Sequence, residues 1–228
     1  MLNRNFTLFA NYLLDNFVPP IIRDRKWFMR PIIMIAYGSY TNAIMGFKEN
    51  LPFMDEQELS DYYSLIKDAP INKRESDLNT VCLEYILKSV TGESVLDAAC
   101  GRGALLKRIK EKYPDIRLHG SDIVLPDMEI QCTKASICDL PFEDGCFDTV
   151  ICTHALEHIR DNKKALNELL RIAKTRLIIV VPKQREYWYT PDLHIHFFPY
   201  LFSFKAFIGI ENAVYLELKG DFLCSIDK

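Results

Sequence analysis

No stretch of this chain is long and apolar enough to cross a bilayer. The most hydrophobic run, residues 31–47, is polar in its middle and shorter than the roughly 20 residues a spanning helix needs. No secretory signal is expected, since Asn3, Arg4, Asn5, Asn11 and Asp15 interrupt the apolar positions and no small-residue cleavage site follows. There is no basic excess: 28 Lys and Arg face 31 Asp and Glu, a net charge of −3. That leaves no electrostatic footprint for nucleic acid, and no nucleic-acid partner is expected. The seven cysteines are odd in number and show no C-x-x-C spacing. Zinc ribbons and disulfide frameworks are disfavoured, and free thiols in a reducing, cytoplasmic setting are expected. Internal repeats and low-complexity tracts are also missing.

What is present centres on Val-Leu-Asp-Ala-Ala-Cys-Gly-Arg-Gly at residues 95–103. Val95 to Asp97 reads as a short buried strand ending in a carboxylate. A loop with Gly101 and Gly103 follows, and residues 104–113 have the apolar spacing of a helix. Strand, glycine turn and helix together place a small ligand at the carboxyl end of a parallel sheet. A nucleotide P-loop is excluded, because no Gly-Lys-Ser/Thr follows. The dinucleotide pattern G-x-G-x-x-G is incomplete, since Leu106 stands where the third glycine belongs. Asp97 would also repel a pyrophosphate, whereas it suits a ligand carrying an ammonium group. A second strand, near 116–121, ends at Asp122, placed to accept from the two hydroxyls of a ribose.

These segments resemble the class I S-adenosylmethionine-dependent methyltransferases of the small UbiE-like type, over roughly residues 90–182. Residues 95–103 are similar to the family's first motif, D-x-G-x-G-x-G, with Ala99 in place of its first glycine. Alanine fits there if the backbone has negative φ. Ser121, Asp122 and Ile123 resemble the second motif, residues 138–148 the third, and residues 150–158 the strand and loop beside the methionine end of the cofactor. The resemblance implies a Rossmann-like, doubly wound α/β fold with a mostly parallel sheet and an antiparallel C-terminal edge hairpin. It implies S-adenosyl-L-methionine as cofactor. Asp97 and the amides of Ala99, Cys100, Gly101 and Gly103 would hold the methionine moiety. Asp122 would take the ribose, Ile123 would pack on the adenine, Asp139 would accept from its amino group and Leu140 would cover the ring. Thr153 and His154 would sit beside the sulfonium. The acceptor would be a small molecule, a glycan or a lipid-linked compound. No Asn-Pro-Pro-Tyr-like tetrapeptide follows the fourth strand, which argues against methylation of base amino groups.

A base is needed only where the acceptor must lose a proton, and histidine suits that role near neutral pH. His154 is the histidine nearest the cofactor in this reading. His194 and His196 follow the fifth strand, and an extended chain there would face both the same way. His154 and His158 could instead begin a metal site, but no third ligand stands out at suitable spacing, so no metal is expected. The alternatives to a methyltransferase are a non-catalytic scaffold on the same fold and, less well supported, a dinucleotide-dependent enzyme.

The chain divides unequally. Residues 1–74 read as an aromatic-rich helical appendage or lid, with an acidic helix near 55–67 and a linker at 68–74. Residues 75–228 read as the methyltransferase domain. It begins with a helix at 77–89 capped by Ser76, followed by strands near 94–97, 116–121, 129–133, 148–153 and 176–181, alternating with helices near 104–113 and 162–173. A helix at 198–208 and a hairpin turning at 219–221 complete it. Arg23, Arg25 and Lys26 beside Trp27 and Phe28 could touch a membrane surface. Trp27 to Met29 and Tyr187 to Tyr189 could line or cover the acceptor site.

Overall fold

The computed structural model describes residues 12–66, 76–125, 127–190 and 192–228. The linker expected at 68–74, and the polar residues before position 12 that argued against a signal, lie outside the described residues. The chain forms two compact units. One lies within residues 1–74 and also takes in Gln184–His194; the other comprises Glu75–Lys183 and Ile195–Lys228. Residues 184–194, read from the sequence as part of the C-terminal domain, thus cluster with the N-terminal helices.

The first unit is helical. After a single turn at Pro20–Arg23 come α1 (Lys26–Tyr37), α2 (Thr41–Asn50) and α3 (Glu56–Ile66). The start of α3 is fixed by a reciprocal cap: Glu58 N donates to Asp55 Oδ1 and Asp55 N to Glu58 Oε2, both at 2.8 Å. Met29, Ile33, Tyr37, Ile44 and Phe47 are fully buried with Tyr187. Arg23 is buried as well. Its guanidinium lies 4.6 Å from the Tyr187 ring centroid and 3.6 Å from Asp15, and donates to the carbonyl of Glu186 at 3.0 Å. A membrane contact through Arg23 is therefore ruled out, and Tyr187 is core rather than pocket lining. Trp188 and Trp27 stay exposed.

The second unit is a seven-stranded sheet in the order β3-β2-β1-β4-β5-β7-β6. Its strands are β1 (Ser94–Ala98), β2 (Arg117–Asp122), β3 (Cys132–Lys134), β4 (Phe147–Thr153), β5 (Ala173–Pro182), β6 (Val214–Leu218) and β7 (Asp221–Asp227). The first five pair in parallel; β7 runs antiparallel to both β5 and β6, which makes the expected edge hairpin. Lys219 and Gly220 form its turn, both with positive φ, as a two-residue hairpin turn of the primed type requires.

Both faces of the sheet are covered. Leu96, Ala98, Val150, Cys152, Ile179 and Val181 pack on one face with α6 (Asn162–Ile172) and α7 (Leu201–Ile208). The alternate residues Val95, Ile151, Ile178 and Val180 pack on the other with α4 (Thr80–Ser89) and α5 (Ala104–Lys112). This two-sided burial explains why the strands read as continuous apolar runs. The cap of α4 is Asn79, not Ser76: Asn79 Oδ1 accepts from Cys82 N at 2.9 Å, while Ser76 Oγ accepts only from Leu78 N in a local turn. The sheet's strand order reverses between β1 and β4, the crevice where open α/β sheets take ligands.

Candidate active site

Two carboxylates meet at that crevice. Asp97 is the penultimate residue of β1, flanked in register by Gly120 and Ile151. It is buried, and its Oδ1 has no hydrogen-bond partner among the described residues. Burial, reinforced by the nearby charge of Asp122, pushes its pKa up to about 8. A buried carboxylate left short of partners is costly unless a ligand completes it, and a cationic ligand does so best.

Asp122 ends β2 and organises the loop after β1. Its Oδ2 accepts from Gly101 N at 2.8 Å and its Oδ1 from Val124 N at 3.0 Å. Each oxygen keeps a second lone pair for a hydroxyl. Cys100 N donates to the carbonyl of Ser121 at 3.0 Å, so the loop is also tied to β2 through its backbone. The Cys100 thiol is buried and its pKa is raised by desolvation, and a Cβ on Gly120 would lie 2.9 Å from its sulfur. Cys100 thus serves by its small volume rather than its reactivity. Gly101 and Gly103 both have positive φ, and a Cβ on Gly101 would meet nothing within 4 Å. The loop presents open backbone there.

Ala99 departs from expectation. Its φ is +60°, in the left-handed region that a β-carbon disfavours by roughly 1–2 kcal/mol. The loop retains the glycine-like conformation of the motif although the glycine is gone.

Around the crevice, Ile123 is exposed just beyond β2. Asp139 is exposed at a tight turn in which its N–H donates to the carbonyl of Ser136. Arg171 on α6 pins the segment that follows, donating to the carbonyls of Leu140 and Phe142 at 3.1 and 2.7 Å. Leu140 itself is buried in the core beneath α6, so its side chain packs the fold instead of covering a ring. Thr153 ends β4 half-buried.

His154 follows with φ +51°, and its ring turns back between two carboxylates. Nδ1 lies 3.6 Å from Glu157 and Nε2 lies 3.5 Å from Asp221, and both acids are buried. Burial disfavours the imidazolium, but the flanking carboxylates of Asp221 and Glu157 override it and push the pKa up to about 10. His154 is therefore cationic at neutral pH and has no lone pair with which to act as a base. Asp221 in turn accepts from Asn79 Nδ2 at 2.6 Å. In the sequence Asp221 falls in the hairpin turn and Glu157 in a segment that the family resemblance marks as structural.

The two later histidines do not form a pair. Leu193 has φ +53° and a bend occupies 195–196, so the segment is not extended. His194 lies in the first unit, with Nδ1 2.5 Å from Gln184 Oε1. His196 lies in the second unit; its N–H and that of Ile195 donate to the carbonyl of Glu157 at 2.9 and 2.8 Å. Its Nε2 donates to the carbonyl of Arg160 at 3.1 Å. A carbonyl can only accept, so Nε2 carries a hydrogen and Nδ1 is the ring nitrogen not engaged by this contact.

Comparison with known proteins agrees with this geometry. Residues 96–181 match the family model described as a methyltransferase domain. The chain is 36% identical over 144 residues to an uncharacterised protein of Methanocaldococcus jannaschii, covering 59% of this chain and 61% of that protein. It is 32% identical over 90 residues to a demethylmenaquinone methyltransferase of Thermus thermophilus, covering 34% of this chain and 41% of the relative. The chain thus spans less than two thirds of the length of either relative. The fold is shared with the 1,6-didemethyltoxoflavin-N1-methyltransferase of Burkholderia thailandensis, solved with S-adenosylhomocysteine, at TM-score 0.50 and 15% identity over 65% of this chain and 75% of that one. With the two strand-end carboxylates and the open loop between them, residues 96–181 resemble the methyltransferase domains of the class I S-adenosylmethionine-dependent family.

Proposed function

We propose that this protein binds S-adenosylmethionine at the carboxyl ends of β1 and β2 and directs its methyl group to a small-molecule, glycan or lipid-linked acceptor. The observation that supports this reading is Asp97, buried beside an open glycine loop with one oxygen unpartnered among the described residues. When bound, the cofactor supplies a methyl group already activated by a sulfonium. Asp97 would face its ammonium group, the amides of residues 99–103 its carboxylate, Asp122 the ribose hydroxyls, and Ile123 and Asp139 the adenine. With the methyl group activated in advance, the main task left to the chain is to hold the acceptor in line and keep water away.

Where the acceptor must lose a proton, His196 is the residue suited to accept it, through Nδ1. Its backbone is anchored to the turn that follows β4, and Nε2 is held by Arg160. His194 is the other candidate base. His154 instead contributes a fixed positive charge beside the end of β4.

The test is incubation of the purified protein with cofactor labelled in the methyl group and with separate metabolite, glycan and lipid fractions. Label should enter one fraction and fail to do so with the Asp122→Ala protein. Tight cofactor binding without transfer to any fraction would favour the scaffold alternative.

A further inference from the structure

The N-terminal unit carries an exposed apolar face that its own core does not use. In α1 the buried side chains, Met29, Ile33, Ala36 and Tyr37, occupy one side. The opposite side, at helical spacing i, i+4, i+7 and i+8, shows Trp27, Pro31, Met34 and Ile35 to solvent. Trp27 is 71% exposed and Ile35 76%, and Ile21, on the preceding turn, is 70% exposed. Phe17 extends the exposed set. Isolated exposed apolar residues are ordinary, but a run of this kind marks a surface that meets something.

The charges around it identify the partner. Between Asn16 and Lys48 the sequence has a single acid, Asp24, and its carboxylate accepts from Trp188 N at 2.9 Å. Arg25, Lys26 and Arg30 are all exposed beside the apolar residues. A second copy of the chain would set these cations against one another. An anionic bilayer surface satisfies both features, because aliphatic and indole groups enter the acyl boundary while basic side chains remain at the headgroups. At 12 residues α1 is too short to span a membrane, and no described helix is long and apolar enough to do so.

We infer that the exposed face of residues 17–35 is a peripheral docking surface for anionic membranes, lying on the bilayer with α1 in its plane. This inference does not depend on the methyl-transfer reading. It is tested by co-sedimentation of the full chain with equimolar phosphatidylglycerol and phosphatidylcholine vesicles, and with phosphatidylcholine vesicles alone. The protein should bind the anionic vesicles, and binding should weaken as salt rises. Joint replacement Arg25→Gln, Lys26→Gln and Arg30→Gln should lower partitioning roughly five-fold per cation, about a hundredfold in all. The Trp27→Ser, Ile35→Ser double variant should also lose binding, with circular dichroism and melting unchanged because both side chains are exposed. Failure to bind either vesicle, or equal binding to both, would overturn the inference. So would a concentration-dependent dimer that the double variant abolishes, which would make this face a self-interface.

Discussion

Replacing Asp97 with Asn separates the demands of the fold from those of the ligand. The folded protein holds this carboxyl at a pKa of about 8, whereas a carboxylate in the unfolded chain sits near 3.8. Between those values the folded state binds a proton that the unfolded state has lost. Stability must therefore fall as pH rises through this window, by about 1.4 kcal/mol per pH unit, and level off above it. Over the whole window the loss is on the order of 6 kcal/mol, a large part of the stability of an ordinary domain. Asparagine cannot ionise, so Asp97→Asn should remove this slope, while titrating groups that do not interact with Asp97 cancel in the comparison. Urea denaturation of both proteins from about pH 5 to about pH 9 measures it. The variant's advantage over wild type should grow by about 1.4 kcal/mol per unit up to about pH 8 and then stay constant. Saturating S-adenosylmethionine should flatten the wild-type profile and leave the variant's unchanged, since a bound ammonium group would hold Asp97 ionised. A pH-independent difference between the two proteins would refute the reasoning.

Ala99→Gly should stabilise the protein by about 0.5–1 kcal/mol, the relief of left-handed strain exceeding the added chain entropy of glycine; a loss of stability in urea would contradict it. His154 should show no ring titration between about pH 6 and pH 8 by NMR, and its stabilising contribution, fully present below 6.5, should be lost as pH rises through about 10. His154→Phe would remove the cation beside buried Glu157 and Asp221 and should cost about 3–5 kcal/mol, read from the denaturation midpoint. His196→Asn should slow transfer to a hydroxyl or amine acceptor with cofactor affinity unchanged; a wild-type rate would restrict His196 to its hydrogen bond with Arg160.

What could be read from the sequence was whatever local chain pattern determines. The alternating strands and helices, the glycine loop, Asp97 and Asp122 all follow from short-range periodicity and from carboxylates at strand ends. The three residues of β3 were placed only approximately, because so short and half-exposed a strand has little pattern to show. The left-handed backbone of Ala99 and Leu193 had no signature in their side chains, since neither favours it. The Leu193 conformation and the bend at 195–196 break the extended segment that the sequence suggested around His194 and His196. Long-range pairings were equally hidden. Asp221 reads as a turn residue, yet its carboxylate meets Asn79 and His154, and Tyr187 reads as pocket lining, yet it is packed with Arg23 and hydrogen-bonded to Asp15 at 2.6 Å. Asn79 was passed over as a cap because its second role, donating to Leu218 and Asp221, is tertiary.

The most direct test of the cofactor assignment is calorimetric titration of the wild-type and Asp122→Ala proteins with S-adenosylmethionine, S-adenosylhomocysteine and NAD in parallel. The first two ligands should bind the wild type and NAD should not, and Asp122→Ala should weaken binding by about 1–3 kcal/mol, the loss of a charged hydrogen-bond partner. Binding of NAD, or an affinity for S-adenosylmethionine that Asp122→Ala leaves unchanged, would contradict the account.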